Sequence, residues 1–132
     1  MKVYIFGNED LPEDSLAFQV ARRLNPLENI EFIPVKPNED LPFVGEKRVV
    51  MMDVVGGIDQ VMVIDDEQLS KLVTSPRTTV HDFDLGFQLR YLKKLGKLRQ
   101  VTIIGLPLLG ELDYDLIQSI LRKLVAQDIQ GS

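Results

Sequence analysis

Arg48-Val49-Val50-Met51-Met52-Asp53-Val54-Val55 is the stretch on which the fold turns. Four consecutive apolar residues, too short a run for a helix and partly β-branched, suit a strand buried on both faces. Such strands belong to parallel sheets whose crossover helices cover them. The aspartate that follows is the anomaly. A carboxylate after four apolar strand residues is expensive to bury unless it is paired, hydrogen-bonded or bound to a cation. Gly56-Gly57 then breaks the run.

Toward the amino terminus, residues 3–6 make a second compact apolar run, ended by a Gly7-Asn8 turn. Pro12 suits the first turn of a helix. Leu16, Val20 and Leu24 continue that helix at four-residue spacing, with Ala17 and Ala21 beside them. Arg22 and Arg23 close it at the negative end of its dipole. Residues 30–35 alternate weakly and predict an edge or second strand, and 36–46, with two prolines and several acids, predict a loop.

Toward the carboxyl terminus, residues 61–64 predict a further strand. So short a connection allows an antiparallel pair and a mixed sheet. Residues 74–80 are polar and proline-containing, an exposed loop. Leu85, Leu89 and Leu92 then keep one helical face, with Lys93 and Lys94 in the last turn and Gly96 as C-cap. Residues 101–106 predict another buried strand, stopped by Pro107. A final helix is expected over 113–126, with Leu116, Ile117, Ile120, Leu121 and Leu124 facing inward. These elements predict one α/β domain over residues 1–132. It is a three-layer sandwich, a mostly parallel twisted sheet of about five strands with helices on both faces.

Composition narrows the function. A chain of 132 residues has room for one comfortable core. The net charge of -5 argues against nucleic acid, which requires a concentrated basic face. The absence of cysteine excludes disulfides, thiolate metal sites and cysteine nucleophiles. No apolar run approaches the roughly 20 residues that span a bilayer, and residues 1–6 do not read as a signal peptide. No membrane insertion and a cytoplasmic location are therefore expected.

In open α/β sheets, ligands sit beyond the carboxyl ends of the strands. Three segments put acids or imidazole there: Glu13-Asp14 after the first strand, Asp53, and His81 ahead of the second long helix. Each has a structural reading beside the functional one. Glu13 and Asp14 would complement the dipole of a helix start, and His81 would cap or precede a helix. Asp53 is the one that burial cost singles out. One imidazole and two carboxylates make a donor set suited to nickel, zinc or iron. Phosphate and nucleophile chemistry fit less well. Gly7-Asn8 lacks the further glycines of a dinucleotide fingerprint, and neither Ser15 nor Ser119 has a nucleophile-elbow setting.

The order of these features resembles the nickel–iron hydrogenase maturation endopeptidases, which trim the carboxyl-terminal extension of the hydrogenase large subunit. The resemblance rests on Phe6-Gly7-Asn8, Leu11 and Glu13-Asp14, then on Val49-Val50-Met51-Met52-Asp53. It continues through His81 with Leu85-Gly86 and ends at Ile104-Gly105-Leu106-Pro107. It spans nearly the whole chain in order. It implies that Asp14, Asp53 and His81 are catalytic, metal-contacting residues. It further implies that the metal is nickel carried by the substrate precursor, checked in place before cleavage. The chain departs from the family in three places. Ala17 stands where glycine is usual, Glu13-Asp14-Ser15 replaces an Asp-Asp-Gly or Asp-Glu pattern, and Val35-Lys36-Pro37-Asn38-Glu39-Asp40 replaces a glycine-rich turn. At 100° per residue, Glu13 points closer than Asp14 to the Leu16/Val20/Leu24 face, which makes Glu13 the rival ligand. The alternative function is a non-catalytic binding protein of the same fold that recognises a hydrogenase subunit or metallocentre. A weaker third is a small-ligand or nucleotide domain.

Overall fold

Strand β3 spans Arg48–Val55, the bounds its apolar run predicts, and lies at the centre of a five-stranded sheet. The computed structural model describes residues 1–7, 10–12, 15–35, 42–43, 45–46, 48–68, 99–109 and 111–130. The other strands are β1 (Lys2–Phe6), β2 (Glu31–Val35), β4 (Met62–Ile64) and β5 (Gln100–Pro107), in the spatial order β2-β1-β3-β5-β4. All pairs are parallel except β4 with β5. The sheet is thus mostly parallel and mixed, as the sequence predicts, and β2 is an edge strand, as expected for residues 30–35.

Two helices are described over their whole length, α1 (Leu16–Leu24) and α2 (Tyr114–Gln130). Both pack on one face, where Ala17, Val20, Ile117 and Leu121 meet Val3, Ile5, Met52 and Ile104. The alanines bring α1 close to the sheet, and Val3 and Val20 are fully buried. The opposite face carries Tyr4, Val49, Met51, Ile64 and Ile103, joined by Phe43 from the β2–β3 connection. The helix predicted from Leu85, Leu89 and Leu92, with its Gly96 cap, and the loop predicted at 74–80 lie outside the described residues.

Three expectations are corrected. Helix α1 begins at Leu16 rather than near Pro12, and its first turn contains no acid. Ser15 sits just ahead of it, its hydroxyl turning back to donate to the Pro12 carbonyl at 3.1 Å. The first turn of α1 is thus Leu16 onward, and Glu13 and Asp14 lie outside the described residues.

Strand β4 is antiparallel, but to β5 and not to the nearby β3. β5 takes the place beside β3 because its eight residues pair with β3 along its whole length, from Arg48↔Gln100 to Val55↔Pro107. Finally, α2 runs one turn further than expected, and Leu116 is 42% exposed instead of facing inward. The buried line is Ile117 and Leu121, with Ile120 and Leu124 half-buried beside it. Leu116 is rotated about 100° off that line.

Candidate active site at the strand carboxyl ends

The chain leaves β1 to build outward through α1 to β2, then returns across β1 to start β3 and build the other way. The crevice between the carboxyl ends of β1 and β3 is therefore the topological switch point, where ligands of open α/β sheets bind. The register locates its floor. β1 and β3 pair through Ile5↔Met52, and Asp53 is the first β3 residue beyond that pairing. β1 then turns away at Gly7, whose φ of 133° is a conformation that residues with a Cβ rarely adopt.

Asp53 is half-buried at this point. Its Oδ1 accepts the backbone N–H of Val54 at 2.8 Å, so one oxygen is held by its own strand. Met51 and Val55 belong to the cluster opposite the helices, and strand alternation puts Asp53 on that face between them. Its partner across β5 is Gly105. A Cβ there would meet Val55 Cγ2 at 3.1 Å, Ile58 Cδ1 at 3.4 Å and the Met62 carbonyl at 3.4 Å. The missing side chain lets the turn after β3 lie against β5 one strand away from the aspartate.

The wall beside the crevice is built by a residue that the sequence reading did not single out. Phe43 is fully buried, 5.0 Å from the ring of Tyr4 and 6.0 Å from that of Phe6. The Tyr4 hydroxyl donates to Glu46 Oε1 at 2.7 Å. Burial and then that bond push the Tyr4 hydroxyl up to about 12. The β2–β3 connection is thus pinned over β1 up to Phe6, the last residue before the Gly7 turn. The available signal was a single aromatic in a loop of prolines and acids.

Of the residues expected at the site, Asp53 is where the sequence put it, at the carboxyl end of the central strand. Asp14, its rival Glu13 and His81 lie outside the described residues, so their distances to Asp53 are not part of this geometry. Among the described residues no group of three or more His, Asp or Glu side chains is gathered to hold a metal. A cavity of about 270 Å³ opens at the opposite, amino-terminal end of the sheet, near Lys2, Glu46, Arg48 and Gln127. Its arginine is committed to structure, with Nε donating to Gln100 Oε1 at 3.1 Å and Nη1 to the Gln127 carbonyl at 3.3 Å. We therefore place the site at the switch point rather than there.

Solved structures agree with the topology. The hydrogenase maturating endopeptidase HybD from E. coli superposes with a TM-score of 0.56 at 15% identity, covering 99% of this chain and 93% of its own. The chain has the fold of a hydrogenase maturation endopeptidase. A second structure, an endopeptidase from Escherichia coli solved in solution, matches with a TM-score of 0.54 at 14% identity, over 98% of this chain and 90% of its own. No protein-family model and no curated protein matches the sequence. No helix among the described residues is long and apolar enough to cross a membrane.

Proposed function

We propose that this protein is an endopeptidase that removes the carboxyl-terminal extension of a nickel–iron hydrogenase large-subunit precursor after nickel insertion. The observation that carries the reading is Asp53, a half-buried carboxylate at the switch point of a sheet with the HybD-like topology. Nickel belongs to the substrate and is the recognition element. Asp14, Asp53 and His81 are the proposed metal-contacting and catalytic groups, with Glu13 the rival of Asp14. Two carboxylates and an imidazole suit nickel. The reaction is hydrolysis of one peptide bond, with water as nucleophile. A carboxylate near the metal supplies the base, and general-base assistance of this kind contributes about 10²–10⁴-fold.

The test is incubation of the protein with nickel-loaded and nickel-free precursor, followed by gel shift of the trimmed subunit. Cleavage of the loaded form alone is expected. Asp53→Asn should slow it about a hundred-fold or more. Equal processing of both forms, or of neither, overturns the proposal. Precursor binding without cleavage would instead establish the non-catalytic alternative.

A further inference from the structure

Among the described residues, three of the six large exposed apolar side chains stand in the connections that follow β1 and β5, the others being Val63, Leu116 and Ile129. Leu11 is 45% exposed, Leu108 48% and Leu109 82%. Leu11 lies in the connection leaving β1, and Leu108-Leu109 follow Pro107, the last residue of β5. β1 and β5 are the two neighbours of β3. At about 4.8 Å per strand, connections from both sides of Asp53 emerge roughly 10 Å apart. Single exposed leucines are ordinary. Three that bracket a strand-end carboxylate are the pattern of an interaction surface.

Charge says what the surface takes. The described segments at this end, 10–12, 53–60, 105–109 and 111–116, contain Asp10, Asp53, Asp59, Glu111, Asp113 and Asp115 and no lysine or arginine. Lys2, Arg48 and Arg99 stand at or beside the amino ends of strands, while Arg23, from the end of α1, reaches in beside Glu111, Asp113 and Asp115 with its guanidinium 4.1 Å from the Tyr114 ring and offsets part of that charge. An apolar crest set among acids favours a partner that is apolar and positively charged. A second copy of this chain is disfavoured, since two-fold pairing of this face would set acids against acids. Nucleic acid is disfavoured by the same sign of charge.

We propose that Leu11, Leu108 and Leu109 form a docking crest for an extended peptide segment presenting leucine-like side chains flanked by arginine or lysine. This rests on the peptidase reading for the identity of the occupant, which is then the tail being trimmed. The crest holds the segment across the carboxyl ends of β1, β3 and β5, passing over Asp53.

Fluorescence anisotropy with the full chain tests this. The probe is a fluorescein-labelled twelve-residue peptide with two central leucines flanked by arginines. Two controls carry glutamate for each arginine, or serine for each leucine. Each control should bind about ten-fold more weakly or worse, the serine peptide through lost apolar burial and the glutamate peptide through charge reversal. Leu108→Ser/Leu109→Ser should lose the parent peptide to the same extent. Because Leu109 is 82% exposed, the Leu109→Ser single variant should melt with the wild type and still bind the parent peptide more weakly. Equal binding of all three peptides, no binding of any, or undiminished binding by the serine variants overturns the crest. Leucine-dependent self-association does so too. Precursor cleavage with no peptide preference overturns the crest alone, whereas peptide preference without precursor cleavage keeps the crest and overturns the peptidase.

Discussion

Tyr4 shows how one side chain ties the site's wall to pH. Its hydroxyl is held neutral up to about 12, against an ordinary 10.0, by burial first and by its bond to Glu46 second. Because the folded value lies above the unfolded one, this contribution is complete below pH 10 and is lost as pH rises toward 12. The melting temperature should therefore fall across that window. Tyr4→Phe should flatten that part of the fall and cost about 1 kcal/mol at neutral pH, the net worth of one hydrogen bond. An unchanged alkaline slope in the variant would show that other groups control it. The pair was not legible in the sequence, because Tyr4 and Glu46 are 42 residues apart and neither position has a periodic reason to meet the other. Asp53 was legible, because its cost is local: four apolar neighbours make its burial a problem before any fold is known.

Elements were legible where their own residues decide them. The strands β3 and β5 are apolar runs bounded by polar residues or proline, and α1 has four-residue apolar spacing closed by two arginines. Their boundaries failed where a single side chain outweighs the pattern, as at Ser15, whose hydroxyl bonds to Pro12 and leaves Leu16 to open the helix. The partner of β4 failed for a different reason. Chain proximity favours β3, but β5 offers β3 a longer apolar pairing. The β2–β3 connection has its own test. Phe43 is fully buried between two aromatic rings, so Phe43→Ala should cost about 3–5 kcal/mol and Phe43→Leu much less. Urea unfolding measures both. A loss below about 1 kcal/mol for the alanine would mean that the connection is not anchored by this ring.

At the scale of the molecule, stability should be graded outward from the centre of the sheet. β3 is paired on both sides, whereas β2 and the three-residue β4 are edges. Amide hydrogen exchange should be slowest in β3 and β5 and fastest in β2 and β4; uniform protection across the five strands would contradict this gradient. The same order of strands has a kinetic side. Residues 48–55 and 62–64 are close in the chain, yet their places in the sheet are separated by a strand drawn from 100–107. A nascent chain emerging from the ribosome cannot complete its sheet at β4. It must wait for residue 107, carrying one edge of β3 and all of β4 without their lasting partner. Pairing across such sequence distances closes slowly. The interval in which that edge stands open is when this protein is most exposed to misassembly and most dependent on chaperones during synthesis.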